Sequence, residues 1–403
     1  MLYLLRMKKI ILILMFVNFI SNAQWVEMSN GIENVGGVFT FSYSGNNFFA
    51  GTGLFGVYVT TNNGINWVQT SLNDRDVHSL AVNGIYTFAG TGVNGVFKSI
   101  NNGTNWTQTP LNNQSIRSIA VNGNNIFAGV IDLGVYLTTN NGISWTQTSL
   151  NNRSVVALAV NGNNIYAGTL NYGVYLSTNN GTSWSQTPLN NRNISALVVN
   201  GDNIFAGTYN SFPFYGVYLS SNNGASWTQT SLNNQNVSSL AVSGNNIFAG
   251  SIDNGFYVSN NNGVSWLQRN EGLGTSLINT LCILNNYIFA GTYGYSVYRR
   301  SLGELIGIQP VSNEIPNTFL LSQNYPNPFN PATNIKFALP ESGFVKLTVF
   351  DMLGREIETL VNKNMNAGTY NADWDAANYS SGVYFYRLHS GKFSEIRKMV
   401  LIK

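Results

Sequence analysis

Seven tryptophans at a nearly constant step, seven aromatic-Ala-Gly triplets and a composition poor in charge predict an all-β chain. The expected architecture is a seven-bladed β-propeller closed by an N-terminal strand, followed by a small C-terminal Ig-like β-sandwich. The tryptophans stand at 25, 67, 106, 145, 184, 227 and 266, with steps of 42, 39, 39, 39, 43 and 39 residues. The triplets begin at Phe49, Phe88, Phe127, Tyr166, Phe205, Phe248 and Phe289. Only 9% of the 403 residues are charged, while 40 are glycine and 13% are aromatic, a profile of many short strands joined by turns. No apolar pattern of period 3.6 runs through the repeats, which excludes a helical solenoid.

Ahead of the repeats, residues 1–23 read as a secretory signal peptide. Lys8-Lys9 supply the charge, residues 10–20 the apolar run, and Ser21-Asn22-Ala23 a small-residue cleavage site before Gln24. The run is too short to span a bilayer comfortably, so no transmembrane segment is expected in the mature chain. Met7-Lys8-Lys9 is a more usual start than Met1. Without Arg6, Lys8 and Lys9 the formal charge of +3 becomes 17 basic against 17 acidic side chains, and a nucleic-acid partner is not expected. The single cysteine, Cys282, sits in the apolar run Leu281-Cys282-Ile283-Leu284 and reads as a small buried side chain.

Within one unit the expected strands are 155–160, 164–169, 173–177 and 183–187, each rich in β-formers and bounded by Asn/Gly turns. Tryptophans and triplets are equal in number but offset. The chain opens on a tryptophan strand, residues 24–28, and its last unit has only three strands of its own. The opening strand is expected to complete that unit and remove two open edges. The array then runs over residues 24–302.

The third-to-fourth-strand turns read TTNNGINW (60–67), SINNGTNW (99–106), TTNNGISW (138–145), STNNGTSW (177–184), SSNNGASW (220–227) and SNNNGVSW (259–266). The fixed positions are Asn62, Gly64 and Trp67; Asn101, Gly103 and Trp106; Asn140, Gly142 and Trp145; Asn179, Gly181 and Trp184; Asn222, Gly224 and Trp227; Asn261, Gly263 and Trp266. The asparagine side chain can cap local backbone N–H groups, and the glycine permits a positive φ. Each tryptophan is expected to pack between sheets, worth up to about 5 kcal/mol for about 200 Å² buried. The pattern resembles the Asp-box, or BNR repeat, with Asn uniformly in place of Asp. In that family, which includes sialidases, xyloglucanases, sortilin-like receptors and photosystem II assembly-factor-like propellers, the box is a structural turn away from any active site. The resemblance implies a propeller and leaves function to the site.

No catalytic residue, metal site or cofactor is expected. Arg75, Gln114, Arg153, Arg192 and Gln235 occupy equivalent positions in the fourth-to-first-strand loops, and repetition argues for structural arginines rather than a carboxylate-binding triad. The carboxylates of the array are few. Asp132 and Asp253 lie three units apart, whereas glycoside hydrolysis needs two carboxyls about 5–9.5 Å apart. His78 and His389 fall in different domains. The segment that breaks the repeat is the second-to-third-strand loop, which carries Phe55, Tyr172, Tyr209, Phe212, Phe214, Tyr215, Tyr293 and Tyr295. These aromatics are the candidate contact surface for a glycan or protein ligand; the bland reading is that they pack against neighbouring loops.

After residue 302 the composition shifts, with six of nine prolines between Pro310 and Pro340. Residues 303–318 read as a linker and 319–403 as a second β domain, with strands at 333–338, 344–351, 356–361, 368–374, 382–390 and 393–402. The residues Leu321-Ser322-Gln323-Asn324-Tyr325-Pro326-Asn327-Pro328-Phe329-Asn330-Pro331, Phe350-Asp351-Met352-Leu353-Gly354-Arg355-Glu356, Ser381-Gly382-Val383-Tyr384 and Lys398-Met399-Val400-Leu401-Ile402-Lys403 carry a second resemblance. They are similar to the type A C-terminal sorting domain of type IX secretion substrates, on which Asp351, Gly354, Arg355, Gly382, Tyr384, Lys398 and Lys403 are the motif positions. The resemblance implies recognition by the outer-membrane secretion machinery, with the cargo released or attached to surface lipopolysaccharide. The function expected is non-catalytic binding, of glycan or protein, at or beyond the cell surface; the alternative is an Asp-box glycoside hydrolase or sialidase-like enzyme.

Overall fold

The computed structural model describes residues 24–210, 213–294, 296–305, 309–312, 315–376 and 379–402. The expected signal peptide, Phe212, Tyr295 and Lys403 lie outside them. The chain is all-β and propeller-like, with seven four-stranded antiparallel sheets followed by a C-terminal β domain. One sheet represents all. Val155–Asn161, Asn164–Thr169, Gly173–Ser177 and Ser185–Gln186 pair in sequence order, and the first lies innermost. The fourth strand is shorter than expected, only two residues; Trp184 falls just before it, and its Nε1 donates to the Gly181 carbonyl.

The N-terminal strand Val26–Glu27 pairs with Val297–Ser301, so the seventh sheet is completed by the other end of the array (Val26↔Arg299, Glu27↔Tyr298). Trp25 is sewn into this seam. Its backbone N donates to the Glu271 carbonyl and its indole to the Arg269 carbonyl, both at 2.8 Å, and its ring meets Phe256 edge-on at 4.9 Å. Each innermost strand also packs on the next, and Val38–Ser44 touches both Val77–Asn83 and Ile278–Leu284.

Two local devices make the sheets fit. The first is the asparagine turn. Asn179 Oδ1 accepts from the Ser183 backbone N at 2.9 Å, Ser177 Oγ accepts from Gly181 N at 2.8 Å, and Asn180 and Gly181 both have positive φ. The same Asn-to-backbone bond recurs at Asn62, Asn101, Asn140, Asn222 and Asn261. The amide of Asn179 further donates to Ser183 Oγ, which a carboxylate could not do. The second device is the meeting of turn and triplet across sheets. A β-carbon on Gly181 would lie 2.7 Å from Cε1 of Phe127, the triplet aromatic of the preceding sheet, and Gly64 faces Phe289 of the last sheet in the same way.

The expectation for the tryptophans is corrected in part. Trp25 and Trp67 are buried, at 2% and 4% exposure, but Trp106, Trp145, Trp184, Trp227 and Trp266 are half-buried. Their rings cover the outer edge of the triplet aromatics, which are the fully buried groups.

The C-terminal domain holds two four-stranded sheets. One orders Gln309–Ser312, Gly368–Asp375, Ala332–Leu339 and Leu320–Leu321; the other Glu356–Met365, Gly343–Phe350, Gly382–Ser390 and Phe393–Leu401. A core including Phe337, Leu347, Trp374, Tyr386 and Leu401 lies among them. The stretch expected to be a linker is not structureless. Leu302–Leu305 forms a helical turn that buries Leu302 and Leu305 against the seventh sheet, and Gln309–Ser312 adds a strand.

Two expected outcomes follow from the seam. Trp25→Ala costs about 3–5 kcal/mol of stability, whereas Trp184→Ala, in a half-buried repeat position, costs roughly half of that or less; thermal denaturation of the two variants gives the ranking. Burial pushes the Glu271 carboxyl up, but its hydrogen bond from the buried Arg300 and the charges of Arg300 and Arg269 outweigh this and hold it below the usual glutamate range. A depressed carboxyl stabilises the fold above its unfolded pKa and loses that contribution as the pH falls through the folded one. Glu271→Gln therefore lowers stability at pH 7 by about 1 kcal/mol, Glu271 being half-exposed. The difference from wild type fades below about pH 4.3 in melting curves taken across pH.

Candidate ligand-binding face

The second-to-third-strand loops are positioned by the repeat itself. In six of the seven sheets the fourth strand carries a glutamine that reaches back, so that Gln69, Gln186 and Gln229 donate from Nε2 to the carbonyls of Phe55, Tyr172 and Tyr215. The expected aromatic surface then divides. Tyr172 and Tyr215 each carry an arginine on one face, with the Arg153 guanidinium 4.1 Å from the Tyr172 ring centre and that of Arg192 3.9 Å from Tyr215; Tyr215 is half-buried, while Tyr172 keeps 46% exposure. Both arginines are also fixed through the chain: the Arg153 carbonyl accepts from Gly134 N of its own sheet, and Arg192 from Gly173. Each arginine thus bridges one sheet to the next, and its Nε donates to a tyrosine hydroxyl there, Tyr175 or Tyr218. Phe214 is half-buried, and Phe55, Tyr209 and Tyr293 remain exposed at 42%, 46% and 59%. Of these, Tyr209 and Tyr293 stand near the central channel.

A second set of variable residues escaped the sequence reading. Every innermost strand carries one β-bulge at the same place, between Val38 and Thr40, Val77 and Ser79, Ile116 and Ser118, Val155 and Ala157, Ile194 and Ala196, Val237 and Ser239, and Ile278 and Thr280. A bulge re-aims its extra side chain. The extra residues are Phe39, His78, Arg117, Val156, Ser195, Ser238 and Asn279, and all but Ser238 line one cavity of about 350 Å³ at the channel mouth. Their neighbours keep to Val or Ile on one side, whereas this column changes character at almost every repeat. The signal was present as the most variable position of the strand.

Three adjacent strands build a continuous stack here. Phe39 lies on His78 with ring centres 5.2 Å apart and planes at 25°. Arg117 Nη1 is 3.0 Å from both imidazole nitrogens of His78, which places the guanidinium over the ring face, since an in-plane donor cannot reach both lone-pair directions. His78 Nε2 donates to Asp76 Oδ2 at 2.9 Å. Arg117 is exposed and forms no ion pair among the described residues. Asn279 Nδ2 is buried at the mouth with no hydrogen-bond partner.

The carboxylates considered for hydrolysis serve the loops. Asp132 Oδ1 accepts from Ser154 Oγ at 2.7 Å, and Asp253 Oδ2 from Asn236 Nδ2 at 2.8 Å, each across to a fourth-to-first-strand loop. Among the described residues no cluster of three or more His, Cys, Asp or Glu is arranged to hold a metal.

In the C-terminal domain the motif residues shape one hairpin. Asp351 Oδ1 accepts from Leu353 N and Arg355 N, Oδ2 pairs with Arg355 Nε at 2.6 Å, and Gly354 takes a positive φ. Met352 and Leu353 stand exposed at its tip. Gly382 and Lys398 pair within the edge hairpin, opposite Leu401 and Phe385, and Tyr384 packs edge-on against Trp374 at 5.3 Å.

Residues 323–403 match the family model of a secretion system C-terminal sorting domain. The chain carries a secretion sorting tail. Such a type IX tail directs a protein to the cell surface or to secretion, and among the described residues no helix is long and apolar enough to cross a membrane. Residues 74–197 match a DUF6242 β-propeller domain. No curated protein matches the chain. Among solved structures, YCF48 from Cyanidioschyzon merolae is similar with a TM-score of 0.58 at 14% identity, over 70% of this chain and 99% of that one. PorZ, a surface component of the type-IX secretion system of Porphyromonas gingivalis, is similar with a TM-score of 0.54 at 16% identity, over 92% of this chain but 60% of its own. A GH74 xyloglucanase from Xanthomonas campestris reaches a TM-score of 0.54 at 13% identity, over 78% of this chain and 59% of that one. At these identities the likeness is one of fold.

Cys282, expected to be buried, is half-buried against the core of the first sheet, and desolvation pushes its thiol up to about 12. Against a disulfide reagent such as dithiobis-nitrobenzoate, the native protein is expected to stay unreactive at pH 7–8 and to release one equivalent of chromophore only when unfolded.

Proposed function

We propose that this is an exported, non-catalytic binding protein: a seven-bladed propeller closed by its N-terminal strand, with an Ig-like sorting sandwich, that captures a ligand at the channel mouth. Pairing of Val26–Glu27 with the last sheet and the unbroken succession of innermost strands support the closed ring. One observation carries the binding reading. The backbone repeats in all seven innermost strands, yet the bulge position holds six residue types over seven strands, and six of the seven side chains line one cavity. A position constrained only by packing would repeat, as the triplet aromatics do. Variation focused on one cavity suits recognition. The exposed Tyr209 and Tyr293 extend the same mouth, and the ligand class proposed is a glycan in preference to a protein. The alternative, an Asp-box hydrolase, has less support, because Asp132 and Asp253 are engaged by loop side chains of neighbouring units.

The test is a glycan array probed with the full chain, followed by titration of the ligands found. Tyr209→Ala with Tyr293→Ala is expected to weaken binding about tenfold or more, while Asp132→Asn and Asp253→Asn leave it unchanged. Glycan cleavage that is lost with any single carboxylate substitution would support the hydrolase instead, and binding indifferent to the tyrosine pair would remove the channel mouth as the site.

A further inference from the structure

The groups at the channel mouth are unusual in a chain so poor in charge. No carboxylate lines the cavity, and Arg117 is its one permanently charged group. The guanidinium rests on His78 rather than in an ion pair, with Nη1 against the imidazole, and the side chain is exposed to solvent. Asp76 sits behind His78, outside the cavity lining, and its Oδ2 is already engaged. Across the cavity Asn279 offers a buried amide nitrogen that lacks an acceptor. Phe39 and Tyr209 line the same space with aromatic surface, and Tyr293 stands beside Phe39 at 6.5 Å between ring centres.

We infer that the channel mouth binds a hexuronic acid residue of an acidic polysaccharide, with the sugar carboxylate on Arg117. The inference rests on the glycan-binding reading above and names the ligand within it. A guanidinium fork is matched to a carboxylate in two parallel hydrogen bonds. A uronic acid carries, on one rigid ring, a carboxylate, hydroxyl acceptors for Asn279 Nδ2 and a C–H face for an aromatic platform. A cavity of about 350 Å³ lies at the small end of ligand pockets, which suits one or two sugar rings. A peptide carboxylate would also use the arginine, and hexaglutamate is therefore the control that separates it from a sugar.

The experiment is calorimetric titration of the full chain at low salt with three sets of probes. These are oligogalacturonate, a glucuronate-containing oligomer and alginate oligomers; their carboxyl-reduced counterparts; and hexaglutamate. Wild type is expected to bind at least one acidic oligomer about tenfold tighter than its reduced form. Arg117→Gln should abolish that difference while leaving affinity for the reduced form as it was. Arg117→Lys should restore only part of it, since an ammonium lacks the fork. Circular dichroism melts check that these exposed-site variants fold. Equal affinity for acidic and reduced oligomers overturns the inference but leaves the glycan-binding reading standing. Binding of hexaglutamate through Arg117, with no acidic sugar bound, overturns it in favour of a peptide carboxylate. If no glycan of either kind binds, both readings fall.

Discussion

The array depends on one contact made between neighbouring sheets, that of a turn glycine on the triplet aromatic of the sheet before. The Asn-Gly pair at positive φ brings the backbone down onto the ring, and a β-carbon there would overlap it, as Gly181 over Phe127 shows. The triplet glycine makes the complementary joint on the other side. A β-carbon on Gly168 would lie 2.5 Å from Ile194 of the next innermost strand, and one on Gly291 would lie 2.8 Å from Val38 of the first sheet. The two landmarks that look independent along the chain are therefore parts of one joint in space. The tryptophan, the most conspicuous residue of the repeat, plays a secondary part as a partial cover over the aromatic that fills the gap.

This joint explains where the sequence can vary. Residues that face a neighbouring sheet are held by close packing and recur. Six of the seven bulge residues line the channel mouth, where the extra position turns them out of the constant packing layer, and so they are released from the rule that governs their neighbours. The backbone supplies seven equivalent mounting points around a common opening and leaves their chemistry open. A strand without the bulge would direct alternate residues into the two sheet-facing layers and give the channel no independent set of side chains.

Fold was legible in the sequence because it is enforced by repetition. The strand bounds 164–169 and 173–177 were readable because Asn/Gly turns and β-formers mark them at every copy, and the completing strand at Trp25 followed from the offset between tryptophans and triplets. The fourth strand was read too long, since Trp184 has high β-propensity and nothing local reveals that it falls just before the strand. The candidate site was legible only in part. Loop aromatics stand out in a sequence, but whether an aromatic is free depends on what lies above it. Tyr172 and Tyr215 lie under arginines contributed by the adjoining sheet. Arginines and tyrosines that were weighed as separate surfaces are one set of cation–π clasps. The bulge column was missed for the opposite reason. Phe39, His78 and Arg117 share no residue type, and only the pairing register shows that they occupy one position.

Charge gives that column its weight. From Gln24 onward the basic and acidic side chains balance at 17 each, so no net field draws an anion toward the protein from a distance. Discrimination among ligands must then come from groups that act at contact. The surroundings of Arg117 suit that role. Its contact with the imidazole of His78 leaves its charge without an ion-pair partner, and no acidic side chain lines the opening it faces. Arg153 and Arg192 show the other use of the same residue type, with the guanidinium spread over a tyrosine ring and its Nε bonded to a second tyrosine. The difference between a structural and a ligand-facing arginine in this fold lies in the strand position that presents it. An arginine in the fourth-to-first-strand loop spreads over a tyrosine of the next sheet, and the one on the bulge lines the channel mouth.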